Sequence, residues 1–337
     1  MNETSRIGAW LAWAFLLALV LASSGCLPSR VTIDLSGEAG ELRESRLMDG
    51  DGREKVALIE ISGLISHEAV SQGLFESVDN PVDRFVARLD RASEDPRVRA
   101  LIVRVNSPGG TVAASETLYQ EIIRFKSETG RPVVVSMAEV AASGGYYIAL
   151  AADAILAQRG TTTGSIGVLI QTLNISDGLS RIGVVAPAVT SGGNKAMASP
   201  LEPIDEGHYA LLRAMVEDFY GVFRERVRAH RPEIVRGRFD ELTDGRVLSA
   251  SAALEAGLID ELGGVREAFA RAKSLAGVDG ADLVRYHREG AEPATPYASA
   301  AASRAAVFGS AGVLSGGIGP LRLRPGVAYF IWPDGVW

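Results

Sequence analysis

The residues with the clearest chemical potential are a serine and a lysine, each beside a pair of glycines. Ser143 lies in the segment Ala-Ala-Ser-Gly-Gly-Tyr-Tyr, residues 141–147, just before an apolar, helix-compatible stretch. A nucleophilic serine needs small neighbours, because its Oγ must be reachable and nearby N–H groups must bind the oxyanion. The segment is not a Gly-x-Ser-x-Gly elbow, which disfavours an α/β-hydrolase. An ordinary serine in a glycine-rich turn is an equally good interpretation.

A serine nucleophile also needs a base, and the best candidate is Lys195. It follows Ser-Gly-Gly-Asn at residues 191–194, and none of the four histidines lies in a comparable segment. Lysine can act as a base where burial lowers its pKa, whereas arginine cannot be deprotonated. The chain has only four lysines, so at nearly every position where only a positive charge is needed the residue is arginine. The alternative interpretation of Lys195 is an ordinary loop lysine exposed to solvent. Asp153 could join Ser143 in a Ser-His-Asp set, but only if a histidine partner were found.

A third glycine-bearing turn, residues 106–110, has the sequence Asn-Ser-Pro-Gly-Gly and ends with Gly110. It follows a short apolar segment and precedes a helical pattern. Glycines at such a turn let backbone N–H groups point into a cleft, where they can bind an anion or an oxyanion. This motif alone favours an ordinary strand-to-helix turn.

The elements around these motifs alternate between strand and helix at intervals of about 30 residues, as in βαβ units. Asn80-Pro81 has the pattern of a helix start, and the spacing of Leu212, Met215 and Phe219 predicts a long amphipathic helix. Short apolar segments predict strands at Val56–Ile61, Leu101–Val105, Pro132–Met137 and Ala154–Ala157. The sequence therefore predicts an α/β fold with a largely parallel sheet.

Composition excludes several classes of protein. The 337 residues are 47% hydrophobic and 22% charged, which suits a globular chain rather than a disordered or polytopic one. A net charge of −7 disfavours a nucleic-acid binder. The single cysteine and the scattered histidines provide neither a disulfide framework nor a recognisable zinc site, so we expect no metal and no cofactor.

The N-terminus carries a charge-free run of 23 residues between Arg6 and Arg30. Such a run is long enough to cross a bilayer, and a secretory signal would also fit within it. It ends in Ser-Ser-Gly-Cys, which resembles a lipobox that would acylate Cys26, although Ser23 stands where that pattern usually has Leu. We expect a signal anchor or lipoprotein signal at 1–30, a polar stalk at 31–54 and an Ala/Gly/Ser-rich tail at 281–337. Either tether places the rest of the chain outside the cytoplasm.

Taken together, the motifs resemble the signal peptide peptidase A family of bacterial Ser/Lys peptidases in its short form. The resemblance covers about residues 55–280, the expected peptidase domain. The matching segments, in order, are Asp95-Pro96, residues 105–110, residues 141–149, residues 163–168 (TGSIGV), residues 191–195, Ser199-Pro200 and residues 257–264 (GLIDELGG). The combination is far more specific than any one of its parts.

This resemblance implies a Clp protease/crotonase-like fold of repeated ββα units and a role for each matched residue. Ser143 resembles the nucleophile and Lys195 the general base. The N–H groups of Gly110 and Gly144 would form the oxyanion hole, and Ser165 would hold the lysine amine. The resemblance also implies a ring-like homo-oligomer with active sites between subunits.

The expected function is that of a membrane-tethered serine endopeptidase that hydrolyses hydrophobic peptides such as cleaved signal peptides. Its location would be the bacterial inner membrane, with the catalytic domain on the periplasmic side. Ala196 stands where the family often has Asp, which affects the expected positioning of the lysine loop. The alternatives are a catalytically silent membrane scaffold of the same fold and a crotonase-like acyl-CoA enzyme. The export segment and the Ser143/Lys195 pair argue against the acyl-CoA enzyme.

Overall fold

A computed structural model describes residues 41–50, 53–68, 80–232, 234, 237–288, 292–298 and 328–331. All of them belong to one compact unit, Gly40–Trp337. Cys26, the apolar N-terminal run and most of the predicted tail lie outside the described residues. None of the described helices combines the length and the apolar character that a membrane crossing requires.

The main sheet of the described part is mixed, with a parallel centre and antiparallel edges. Its strands run in the order β1-β11-β2-β3-β5-β6-β10, and β7 and β9 extend it beyond the end of β5. Neighbours from β11 to β10 are parallel, whereas β1–β11 and β7–β9 pair antiparallel. The strands are β1 Arg43–Met48, β2 Lys55–Ser62, β3 Val98–Ser107, β5 Val133–Ala142, β6 Ala154–Ala157, β7 Thr162–Gly164, β9 Val247–Ser249, β10 Glu261–Leu262 and β11 Asp282–His287.

Helices cover both faces of this sheet, which explains why its central strands are continuous apolar runs. The helices are α1 Pro81–Glu94, α2 Val112–Thr129, α3 Gly144–Ala149, α4 Ser176–Arg181, α5 Glu206–His230, α6 Phe239–Leu242, α7 Ala250–Glu255 and α8 Val265–Ala276. Alternate residues of β2 face opposite cores: Ile59 packs with helices α1 to α3, and Leu58 packs with α8.

The predicted α/β alternation is confirmed in these elements. The four predicted strands are found as β2, β3, β5 and β6, and the amphipathic pattern from Leu212 lies in α5. Asn80 caps α1 as predicted, since its Oδ1 accepts a hydrogen bond from the Asp83 N–H at 2.8 Å, and Pro81 is the first helical residue.

Two predicted boundaries are corrected, because polar segments at both ends of the domain join the sheet. Part of the expected stalk forms β1, and the start of the expected tail forms β11, which pairs with β2. Buried ion pairs explain how such charged strands enter a core. The Glu60 carboxylate in β2, 2% exposed, binds Arg104 in β3 at 2.7 Å and Arg285 in β11 at 2.6 Å.

A second, small sheet lies beside the ends of the main strands. Its order is β4-β12-β8, with β4 Gly109–Thr111, β8 Leu169–Ile170 and β12 Ala328–Ile331, and β12 is antiparallel to both neighbours. Thus β12, within the expected tail, joins the segment that contains Gly110.

Candidate active site

Ser143 occupies a sharp turn between β5 and α3. Its φ of 52° and ψ of −112° lie in a region that non-glycine residues rarely adopt, and such strain is found preferentially at functional sites. The Ser143 N–H donates to the Gly164 carbonyl at 2.8 Å, which holds the turn. Its Oγ does not cap the helix and lies 3.4 Å from the Gly167 carbonyl oxygen, a long contact for a hydroxyl donor. The hydroxyl is therefore held loosely at a rigid position.

The turn that ends in Gly110 lies beside Ser143, because it follows β3, the neighbour of β5. Ser107 of β3 pairs with Ala141 of β5, so the two motifs meet at the carboxyl ends of adjacent parallel strands. This edge is where open α/β sheets bind ligands. Ser107 fixes the turn, since its Oγ donates to the Gly63 carbonyl at 2.6 Å and accepts from the Gly109 N–H at 3.0 Å.

Gly110 is required by close backbone contact. A Cβ built at this position would lie 1.9 Å from the Ile65 carbonyl oxygen, far inside van der Waals contact. The flanking backbone is fixed to the same residue, since the Ile65 N–H donates to Gly109 O and the Thr111 N–H donates to Ile65 O, both at 2.9 Å. Gly109 and Thr111 thus face Ile65, and the N–H of Gly110 points to the opposite side of the strand.

Ser165 lies next to Ser143 in the sheet register. Strand β7 runs parallel to the end of β5 and pairs Gly164 with Ala142, so Ser143 and Ser165 are the next residues of two adjacent strands. Ser165 is 6% exposed and also has a left-handed φ, 51°. Its N–H donates to the Arg246 carbonyl at 2.7 Å. The structure therefore brings Ser143, Gly110 and Ser165 to one edge.

Lys195 is placed differently, in an exposed loop between α4 and α5. No hydrogen bond or ion pair joins its Nζ to any residue that the structure describes, and its N–H donates to the Gly192 carbonyl at 3.0 Å. The other three lysines all have partners: Lys55 binds Asp95, Lys126 binds Asp153, and Lys273 binds the Asp279 carbonyl oxygen. Within one subunit, the candidate base is not bonded to the candidate nucleophile.

The four histidines have partners away from Ser143. His67 contacts Thr117, His208 contacts the Gly193 carbonyl, His230 contacts Tyr119, and His287 contacts Ser45. Asp153 accepts a hydrogen bond from the Val133 N–H and an ion pair from Lys126, so its carboxylate has a structural role. The contacts of the described residues give no support to a Ser-His-Asp set.

Two tyrosines after Ser143 anchor the candidate nucleophile, a role that the sequence analysis missed. The Tyr146 hydroxyl donates to the Leu258 carbonyl at 2.8 Å, and the Tyr147 hydroxyl donates to the Glu116 carboxylate. Burial raises the pKa of both hydroxyls, so they stay protonated and act as donors. The signal was present in the sequence as a tyrosine pair inside an otherwise small-residue segment.

Among the described residues, no three His, Cys, Asp or Glu side chains are grouped so as to hold a metal ion. Cys26, the candidate for lipidation, lies outside the described part of the chain, so its acylation stays a prediction.

Comparison with known proteins identifies the family of this chain. The model of Peptidase family S49 matches residues 125–279, which include Ser143, Ser165 and Lys195. A protein of Enterococcus faecium named as a signal peptide peptidase SppA is 31% identical over 74% of this chain and 72% of its own length. The chain belongs to the signal peptide peptidase A family.

Other members of the signal peptide peptidase A family share the same region. Protease 4 of Haemophilus influenzae is 35% identical over 66% of this chain and 35% of its own length. The chloroplastic serine protease SPPA of Arabidopsis thaliana is 31% identical over 73% of this chain and 36% of its own. A solved structure of a mutant of the membrane-bound stomatin-specific protease 1510-N aligns with 64% of this chain and 82% of its own. Its identity of 18% and TM-score of 0.37 are too low to inform the fold.

As a member of the signal peptide peptidase A family, the chain is a protease. Its fold is mixed α/β. The predicted family is confirmed.

Proposed function

We propose that the protein is a serine endopeptidase in which Ser143 is the nucleophile and Lys195 of a neighbouring subunit is the general base. The observation that carries the proposal is the geometry of Ser143, a buried serine with a φ of 52° at a strand-to-helix turn, beside Gly110 and Ser165. The fold would be of the Clp protease/crotonase type with repeated ββα units.

In the proposed reaction, neutral Lys195 takes the proton of the Ser143 hydroxyl as Oγ attacks the scissile carbonyl carbon. The N–H groups of Gly110 and Gly144 stabilise the oxyanion. Gly144 is the first residue of α3, where N–H groups have no partner within the helix. The lysine then protonates the leaving amine as the C–N bond breaks. The same lysine activates a water that hydrolyses the acyl-enzyme, and Ser165 orients its amine.

The position of Lys195 supports assembly between subunits. The loop and helix around it, residues 171–205, expose several large apolar side chains, which is typical of an interaction surface. The most exposed of them are Leu173, Ile182, Val185, Val189 and Ile204. Burial of this surface against a second copy would remove Lys195 from water, and burial favours the neutral form in which a lysine acts as a base.

The proposed substrates are hydrophobic peptides in extended conformation, including cleaved signal peptides. The name of the Enterococcus faecium relative supports this class, and the pairing of β4 and β8 with a third strand, β12, supports recognition of an extended peptide by strand addition at this place. A tether formed by residues 1–30, either an anchor or acylated Cys26, would hold the domain at the periplasmic face of the inner membrane, where such peptides accumulate.

The dyad is tested with a fluorogenic hydrophobic peptide. Ser143→Ala and Lys195→Ala are each expected to lower kcat/KM about 10⁴-fold or more. Lys273→Ala, which removes the same charge, serves as the matched control and should keep activity. The wild-type kcat/KM should rise with pH, as expected for a reaction whose base must be deprotonated to act. Full activity in Lys195→Ala would refute the dyad, and inactivity of all forms on several peptides would favour the silent scaffold.

The arrangement between subunits has a sharper test, in which the two inactive variants are mixed. A Lys195→Ala subunit keeps Ser143, and a Ser143→Ala subunit keeps Lys195, so a shared site can be rebuilt. After random reassembly, about one quarter of sites in a ring of heterologous contacts would hold both residues. Recovered activity near that fraction is expected. An inactive mixture whose subunits have demonstrably exchanged would place both residues in one subunit.

A further inference from the structure

The two N–H groups proposed for the oxyanion hole belong to different elements of the fold. Gly110 lies in β4, two residues before α2 begins, and Gly144 is the first residue of α3. Both donors must lie about 2.7–3.1 Å from the same oxygen position to stabilise an oxyanion. The placement of α3 relative to α2 therefore has to be fixed closely.

A hydrogen bond joins α3 to α2 near both donors. The Tyr147 hydroxyl of α3 donates to Glu116 Oε2 of α2. Tyr147 lies three residues after Gly144, and Glu116 lies six residues after Gly110. The Tyr147 N–H donates to the Ser143 carbonyl at 2.8 Å, which closes the first turn of α3. The bond to Glu116 therefore holds the turn that carries the candidate nucleophile and one of the two donors.

The second oxygen of the Glu116 carboxylate binds α5. Arg226 Nη2 donates to Glu116 Oε1 at 3.2 Å, and Gln120 Nε2 donates to the same oxygen at 2.6 Å. The Arg226 guanidinium also lies 4.6 Å from the centre of the Tyr119 ring, a cation–π contact. Because α5 follows the loop of Lys195, the carboxylate connects the nucleophile helix to the helix next to the candidate base.

The surroundings of Tyr147 make the position of its hydroxyl sensitive to Glu116. The Tyr147 ring is fully buried, 5.4 Å from the Tyr119 ring of α2 and 5.0 Å from the Phe223 ring of α5. Burial raises the pKa of the Tyr147 hydroxyl and the hydrogen bond to Glu116 raises it further, so the group stays a donor. Loss of the carboxylate would deprive a buried donor of its acceptor, which the first turn of α3 can relieve only by moving.

The exposure of the ion pair indicates that its main effect is not on stability. The side chains of Glu116 and Arg226 are 35% and 33% exposed. An ion pair so open to water adds little to the free energy of unfolding. What the pair does restrict is geometry, because it orients the carboxylate that receives the Tyr147 hydroxyl.

We propose that Glu116 is a positioning residue whose carboxylate, bound to Tyr147 and Arg226, sets the spacing between the Gly110 and Gly144 N–H groups. The inference rests on the proposed function, because it takes these two groups as the oxyanion donors. A displacement of about 1 Å in a positioning group costs about 10²-fold in rate. Since the donors act on the transition state, the loss falls on kcat and leaves KM nearly unchanged.

The experiment measures kcat and KM separately for a fluorogenic hydrophobic peptide, with the full-length protein in detergent. The variants are Glu116→Ala, Glu116→Gln, Tyr147→Phe and the double variant Glu116→Ala/Tyr147→Phe. The matched controls are the same two changes at Glu121, a carboxylate of the same helix that binds Arg124 at 2.7 Å. Hydrogen exchange of the Tyr147 amide reports on the first turn of α3 independently of catalysis.

Glu116→Ala is expected to lower kcat about 10²-fold with KM within about twofold of wild type. Glu116→Gln should lose only about tenfold, because its amide oxygen can still accept from Tyr147. Exchange of the Tyr147 amide should be about tenfold faster in Glu116→Ala. The double variant should have a kcat no lower than that of Glu116→Ala, since Glu116 acts through the Tyr147 hydroxyl. Both Glu121 variants should match the wild type.

A folded Glu116→Ala protein whose kcat stays within about twofold of wild type would refute the positioning role and leave the proposed function standing. A double variant that loses much more kcat than Glu116→Ala would also refute it, because the two residues would then act independently. If no form cleaves several peptides while the Tyr147 amide exchanges faster in Glu116→Ala, the proposed function fails and the hold of Glu116 on α3 stands.

Discussion

Replacement of Gly110 by alanine tests the oxyanion hole through the backbone. The added Cβ would lie 1.9 Å from the Ile65 carbonyl oxygen and 2.5 Å from its carbonyl carbon. Ordinary contact begins near 3.4 Å, so one of the two backbones must move by about 1.5 Å. Neither has an easy way to move, because Ile65 is hydrogen bonded to both Gly109 and Thr111. The Gly110 N–H is expected to lose its alignment with the oxyanion.

The magnitude follows from that displacement. Loss of one oxyanion donor lowers kcat by about 10²–10³-fold, and a shift of about 1 Å in a positioning group alone can cost about 10²-fold. Overpacking should also lower the free energy of unfolding by about 1–3 kcal/mol. We therefore expect a large loss of kcat together with a modest loss of stability.

The assay compares kcat for a fluorogenic peptide with the midpoint of thermal unfolding. Gly160→Ala is the matched control, since a Cβ at Gly160 meets no atom within 4 Å and its φ is not left-handed. The control should keep both values. A Gly110→Ala protein that is folded and retains kcat within about twofold of wild type would refute the role of this N–H in the oxyanion hole.

Three further predictions concern the framework that holds the site. Lys55→Met breaks the ion pair between Lys55 and Asp95, whose side chains are 6% and 9% exposed respectively, and should lower the free energy of unfolding in urea by about 3–5 kcal/mol. The control Arg238→Met, at an exposed ion pair, should lower it by less than about 1 kcal/mol. Equal losses in the two variants would contradict the role of burial. Burial alone would raise the pKa of Asp95, but the hydrogen bonds from Lys55 and from the Arg97 N–H, together with the positive charges of both residues, outweigh it, and the pKa lies below its ordinary value of 3.8. The stabilisation is thus fully present above pH 3.8 and is lost as pH falls below it, and Asp95→Asn should flatten that part of the stability–pH curve; an unchanged curve would count against it. Tyr146→Phe leaves the buried Leu258 carbonyl without its donor and should cost about 1–2 kcal/mol, measured by denaturant unfolding, with a loss below about 0.3 kcal/mol as the contrary result.

The parts of the fold that the sequence predicts well are those whose stability is local or apolar. Strands β2, β3, β5 and β6 are buried on both faces, so they are recognisable as apolar runs. Strand β11 was missed because three of the six residues in its sequence, Asp-Leu-Val-Arg-Tyr-His, are charged or polar, so it does not form an apolar run. Its Arg285 is stabilised in the core by Glu60, 225 residues away, and no local pattern carries that information. The same holds for β12, whose pairing with β4 joins Tyr329 to Thr111.

The residues of the candidate site also differ in how firmly the surrounding structure fixes them. Ser143, Gly110 and Ser165 lie on tightly hydrogen-bonded backbone, where strained φ values and a glycine without room for a Cβ leave little freedom. Lys195 lies in an exposed loop among apolar side chains that have no cover within the described chain. A rigid half-site and a loosely held candidate base agree with the proposed assembly, in which a second copy of the chain docks at the lysine loop and completes the site. Under that proposal assembly controls proteolysis, and the exposed apolar side chains of residues 171–205 can be changed without touching the nucleophile.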